Sequence, residues 1–317
     1  MTPTMREAVG RKLAVLGRSR NDLVVLDADV SSSSRSLHFA AEHPDRFFNV
    51  GVAEANLVDI AGGLATCGFR PVANAFAIFL ALKAADQIRN VLCYNKLPVV
   101  LAGTYAGLSD SFDGASHQAI ADLAILRGLP NLTLVVPADN AGAEAALEAA
   151  LEADGPVYLR INRNEVPVLP PAPEPFALGR IRTWRRGGDV TLAADGICLA
   201  MALEAAERLA RAGIRAEVLE IATLKPLDGD ALAASVARTG RLVVAEEHSV
   251  IGGLAGACAE ALAARVPFLM ETVGIRDLFT ESGPYGRLLE KYGITAAEIE
   301  RRALALLAKG RAVAGQA

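Results

Sequence analysis

The sequence predicts an α/β protein of two doubly wound domains, and three features predict it. Short β-branched runs alternate with longer Ala-rich amphipathic stretches, the pattern of a parallel sheet wrapped by helices. A proline-dense stretch interrupts that alternation once, near the middle of the chain. The chain has 317 residues, enough for two domains at roughly 100 to 200 residues each. In the first domain, strands are expected at Leu23 to Leu26, Phe47 to Val50, Pro71 to Asn74, Pro98 to Ala102, Thr133 to Val136 and Val157 to Ile161, with helices between most of them. Asn164 to Gly179, NEVPVLPPAPEPFALG, follows; proline fixes φ and removes backbone donors, so this stretch is expected to run extended. The alternation then resumes with a strand near Val190 to Ala194, a helix from Ile197 to Ala212, a strand from Ala216 to Ile221, a helix near Gly229 to Ala237, a strand from Leu242 to Ala245 and a helix from Gly252 to Ala264. The expected division is residues 1–163, a linker over 164–186, and a second domain over 187–317. No repeat of the 20 to 50 residues that mark array folds is present.

Composition narrows the function. Hydrophobic residues make up 52% of the chain and charged ones 21%, which excludes a disordered tail. A formal net charge of -4 offers no basic field for nucleic acid or anionic lipid, so any phosphate must be held by a few local cations. Cys67, Cys93, Cys198 and Cys258 are far apart and form no CxxC pair; neither a zinc site nor a disulfide framework is expected, and a reducing, cytoplasmic setting is. The beginning, MTPTMREAVGRKL, has no apolar export signal, and no apolar run reaches the ~18 residues of a membrane span.

Four stretches are candidates for chemistry. In NVGVAEANLVDIAGG, residues 49–63, a strand end leads into a helix of small apolar residues with Glu54 in its first turn. Glu54 fits two roles: a complement to the helix dipole, or a desolvated acid that shares a proton with a ligand nitrogen. Downstream, Phe76, Phe79 and Leu82 are spaced to lie nearly on one helical face, which suits core packing or a slot for a flat heteroaromatic ring. The polar, glycine-rich loop GTYAGLSDSFDGASHQ, residues 103–118, follows a strand, where α/β proteins place their sites, and carries Asp113 and His117. Arg160 in PVYLRIN is a phosphate handle or a surface charge. No GxGxxG or P-loop pattern occurs.

In combination, PDRFFNVGVAEAN, AFAIFLALKAADQIRN and DGASHQAIADLAILRGLPNLTLVVPAD resemble the pyrimidine-binding domain of transketolases. LKPLDGDAL, VVAEEHSVIGGLAG and ESGPYGRLLEKYGIT resemble the transketolase C-terminal domain, so nearly the whole chain is covered. The resemblance implies thiamine diphosphate as cofactor. Glu54 matches the glutamate that hydrogen-bonds N1′ of the aminopyrimidine and thereby activates the thiazolium C2–H. Phe76 and Phe79 match residues that stack on the pyrimidine, and Leu82 stands where some members have a third aromatic. Asp113 and His117 match residues of the sugar channel; Arg6, Ser33 and Arg160 match positions that grip a sugar phosphate; Asp29 matches an acid near the cofactor. Tyr105 replaces a histidine expected in the same loop, which points to a donor other than that of the standard pentose-pathway reaction.

The family binds the diphosphate through Mg²⁺ and a GDG-containing stretch in a domain that this sequence does not contain. With Met1 placed just before the Arg6 region, the expectation is the pyrimidine-binding and C-terminal subunit of a split transketolase. Such a subunit works in an α2β2 heterotetramer with the Mg²⁺-carrying N-terminal subunit; this chain itself carries no metal site. Two rival readings remain at this stage, the β subunit of a 2-oxo acid dehydrogenase and a non-catalytic scaffolding subunit of the same fold.

Overall fold

The computed structural model describes residues 4–314. Among the described residues, twelve strands form two sheets. The first contains β1 (Leu23–Asp27), β2 (Phe47–Asn49), β3 (Arg70–Phe76), β4 (Val100–Thr104), β5 (Thr133–Val135) and β6 (Val157–Ile161). The second contains β7 (Arg182–Arg185), β8 (Val190–Ala194), β9 (Ala216–Glu220), β11 (Arg241–Ser249) and β12 (Leu269–Ile275). β10 (Thr223–Lys225) comes from the second half of the chain but pairs antiparallel with β5, giving the order β10-β5-β6-β4-β3-β1-β2. The second sheet runs β12-β11-β8-β9-β7, with only β7 antiparallel to its neighbour.

Every residue of β1, β4, β6, β8 and β9 is buried, as expected of parallel strands covered on both faces. Helices supply that cover through one-sided apolar stripes. In the helix Cys198–Arg211, the buried residues Cys198, Leu199, Ala202, Ala205, Ala206 and Leu209 recur at helical spacing, and Arg208 and Arg211 near its end complement the dipole.

Two features depart from the sequence-based expectation. β7 lies inside the stretch expected to be a linker through residue 186, because Arg182 and Trp184 reach Glu220 on β9, at 2.7 and 2.6 Å, and draw the chain into the sheet edge. The two halves also share the first sheet through β10, so they are joined by backbone pairing as well as by side chains.

The register places the candidate residues. Phe76, Thr104 and Ile161 lie in one row across β3, β4 and β6. The chain leaves the sheet just beyond that row, at the C-terminal edge where α/β folds bind their ligands. Tyr105 follows β4 directly, Arg163 lies two residues past β6, and Asp29 lies two past β1.

Candidate active site

Glu54 is the first residue of the helix Glu54–Thr66 and is only 6% exposed. Its setting is not the purely apolar one expected from sequence: Lys83 Nζ donates to Glu54 Oε1 at 3.0 Å. The same ammonium lies 3.9 Å from the centroid of the Phe79 ring, a cation–π contact. Lys83 sits four residues after Phe79, one helical turn on, and is the single cation in the apolar stretch FLALKAA. That isolation was the signal by which sequence reading could have found it.

Phe76 and Phe79 do face one another, with centroids 5.9 Å apart, but not as neighbours on one helix. Phe76 ends β3 in an extended conformation and precedes the helix Ala77–Lys83. Leu82, expected on the same stripe, is 60% exposed. The third ring comes from His117, whose centroid is 5.1 Å from Phe79 and 6.0 Å from Phe76. His117 closes the short turn Gly114–Ser116, and its Nδ1 is hydrogen-bonded with Ser116 Oγ at 2.9 Å.

Tyr105 links this aromatic group to a cationic one. It adopts φ 64°, a left-handed conformation that bulky residues rarely hold, and its ring stacks 4.4 Å from Phe76. Two guanidinium groups lie against that ring, Arg163 at 4.7 Å and Arg6 at 5.4 Å. Arg6 Nη1 donates to the Tyr105 hydroxyl at 2.9 Å and to the Ser33 carbonyl at 2.7 Å, and Arg6 Nε donates to the Arg163 carbonyl at 3.1 Å. Arg6 and Ser33 therefore converge as expected, although Ser33 contributes its carbonyl here. Arg163 Nη1 donates to Asp110 Oδ1 at 2.8 Å. One side-chain oxygen each of Asp110 and Asp113 and one ring nitrogen of His117 all lie within 4.8 Å of one another. Burial, with the Asp113 carboxylate beside it, pushes Asp110 up to about 7 against the pull of Arg163.

Arg160 does not join this group, contrary to expectation. It lies inside β6, one residue before its end, and strand alternation aims it away from the face used by its neighbour Ile161. Its guanidinium is buried and bonded to Asp122 from Nε at 2.9 Å and from Nη2 at 3.2 Å, and to the Ala119 and Glu247 carbonyls at 2.6 and 3.1 Å. Tyr158 donates to the same Asp122 at 2.7 Å. Burial alone would raise Asp122, but Arg160 and His248 hold it below the usual carboxylate range. Arg160 is thus a pin between the two halves of the chain, and Arg163, three residues on, is the cation that reaches the site. Asp29 is exposed, and its carboxylate accepts from Asn49 Nδ2 at 2.8 Å; it braces the ends of β1 and β2, and no contact joins it to the Glu54 group.

A doubly wound domain with a buried acid, an aromatic slot and a cationic far end at one sheet edge, followed by a second α/β domain, defines a two-domain α/β protein whose candidate site opens at a sheet edge. The family models agree: residues 1–168 match the transketolase pyrimidine binding domain and residues 179–299 the transketolase C-terminal domain. The chain belongs to the transketolase family. It is 41% identical over 281 residues to the 6-deoxy-6-sulfo-D-fructose transketolase subunit of Clostridium sp. (strain MSTE9), covering 89% of this chain and 87% of that one. It is 39% identical over 301 residues to a putative transketolase C-terminal section from Methanocaldococcus jannaschii, covering 94% of each. A solved structure described as a split gene transketolase, inactive beta4 tetramer, superposes with a TM-score of 0.90 at 46% identity, covering 97% of this chain and 99% of that one.

Proposed function

We propose that the chain is the pyrimidine-binding subunit of a two-polypeptide, thiamine-diphosphate-dependent transketolase that moves a two-carbon ketol unit from a ketose with an anionic terminus to an aldose. One observation carries the reading: a single ammonium, Lys83, lies on the Phe79 face and bonds the buried Glu54 carboxylate. The slot therefore already accepts a positive group that stacks on an aromatic ring while donating to a carboxylate, which are the two demands of a protonated aminopyrimidine. The residues fit the cofactor, and a ring stacked on Phe79 competes with Lys83 for the same face. When bound, thiamine diphosphate supplies the acidic carbon and the electron sink that two-carbon transfer requires. Glu54 holds a proton at the pyrimidine end, shielded from water by its burial. His117, beside the same aromatic face, keeps a second ring nitrogen to take or give a proton at a sugar hydroxyl, and the exposed Asp113 accepts from another. Arg6 and Arg163 bind the anionic terminus by charge-assisted hydrogen bonds.

The Clostridium relative, named for a sulfosugar, and the Methanocaldococcus relative, named as a section, favour a subunit of this kind. The diphosphate and its Mg²⁺ belong in this reading to an N-terminal partner subunit, in an α2β2 assembly. The test mixes the purified chain with that partner and thiamine diphosphate and follows two-carbon transfer from a panel of anionic ketoses. Transfer by the mixture and none by either subunit alone is expected. Full activity of the isolated chain, or none in the mixture, refutes the proposal.

A further inference from the structure

Arg163 is already engaged before any substrate arrives. Asp110 holds its Nη1 at 2.8 Å, and its backbone N–H donates to Ser109 Oγ at 3.2 Å. Asp110 is fully buried, and its second oxygen, Oδ2, accepts from no N–H group among the described residues; the Asp113 carboxyl is its polar neighbour. Arg6, by contrast, touches no carboxylate: its bonds go to the carbonyls of Ser33 and Arg163 and to the Tyr105 hydroxyl. The next cation, Arg35, shares the Glu7 carboxylate with Arg11, at 3.3 and 2.7 Å. Of the two arginines that face the site, one is committed to a buried carboxylate, and the Asp113 carboxylate nearby lowers the remaining positive charge.

This charge balance discriminates between ligands of equal shape. A dianion drawn to Arg163 must break the Asp110 pair, so that the buried carboxyl has to take up a proton from a solution near pH 8, or lie beside that carboxylate and be repelled. A monoanion can bond Arg6 and the free edge of Arg163 with the pair intact. Resting on the reading above, we propose that Asp110 is a specificity-determining residue: it restrains Arg163 and tunes the far end of the site to a singly charged terminal group, of the sulfonate or sulfate-ester class, over a phosphate dianion. The motif SDSFD shows two carboxylates in the loop, but only the fold brings one of them under Arg163.

Methyl sulfate and methyl phosphate test this directly, because they share a shape and differ in charge near pH 8, above the second phosphate pKa of about 6. Ligand-detected NMR titrations compare both probes on the full chain and on Asp110→Asn, whose amide oxygen still accepts from Arg163. Wild type is expected to bind methyl sulfate at least as tightly as methyl phosphate, and Asp110→Asn to shift the affinity ratio toward methyl phosphate by about ten-fold or more. Asp110→Ser gives the same comparison should the asparagine variant fail to fold. A ratio unchanged in the variants, a wild type that already favours methyl phosphate ten-fold, or binding that survives Arg163→Gln overturns the proposal. If neither probe binds wild type or variant, both this proposal and the anionic terminus of the substrate fall, while two-carbon transfer stands on its own assay.

Discussion

Replacing Arg160 by methionine should unfold the protein more readily and should not act as the loss of a substrate anchor. The substitution keeps much of the side-chain length but strands Asp122, which is fully buried and would retain only Tyr158 at 2.7 Å and His248 at 3.8 Å. Two carbonyls, on Ala119 and Glu247, lose their donor as well. Removing one partner of a buried pair costs about 3 to 5 kcal/mol. At roughly 2 to 4 °C per kcal/mol for domains of this size, Tm should fall by roughly 6 to 20 °C, measurable by circular dichroism with heating. Arg163→Met is the control three residues away. Its partner Asp110 can take up a proton once the cation is gone, since it is already pushed up to about 7. Its Tm should therefore stay within about 4 °C of wild type, while KM for an anionic ketose rises roughly 10- to 150-fold. If Arg160→Met melts like wild type and selectively weakens anionic sugars, the assignment of these two arginines is reversed and the argument fails.

Three further outcomes are expected. In the assembled enzyme, Glu54→Gln should slow H/D exchange at the cofactor's C2 by about 10² to 10⁴, and near-normal exchange would remove Glu54 from proton transfer. Gly107 lies at φ 60° with Glu247 Cδ only 2.4 Å from where a Cβ would stand, so Gly107→Ala should lower stability by about 1 to 3 kcal/mol, read as a lower urea midpoint; an unchanged midpoint would contradict that packing. Burial raises Asp195 to about 7, Glu246 to about 8 and Glu247 to about 7, and lowers His248 to about 4. The three acids hold protons in the folded chain that the unfolded chain has lost, so their contribution to stability declines as pH rises from the ordinary carboxylate range to about 8. The histidine, kept neutral in the fold, acts oppositely but only between about 4 and its ordinary 6.5. Between about pH 6.5 and 8 only the acids remain, and Tm should fall across that window. A flat or rising Tm there would refute the burial argument.

How much of the site was legible differs residue by residue. Glu54 stands out as a candidate because an acid opening an apolar helix is visible in one dimension, as does the loop bearing Asp113 and His117. Lys83 was missed because its importance depends on two partners, one of them 29 residues away. Phe76 and Phe79 meet, but not on one helical stripe, since the helix begins one residue after Phe76.

The sequence by itself determined the α/β class, the strand-and-helix order of most elements, and which stretches carry the acidic, aromatic and loop residues of the candidate site, because hydrophobic period and local residue chemistry are properties of neighbours along the chain. It did not determine which cation reaches the site. Arg160 and Arg163 look alike in RINRN, and only the row that aligns Phe76, Thr104 and Ile161 shows that the chain leaves the sheet between them. The same holds for Asp110, whose pairing with Arg163 spans 53 residues, and for β10, which crosses to the first sheet. Long-range pairing depends on strand register and on how much charge can be buried together, and those quantities exist only once the sheets have formed.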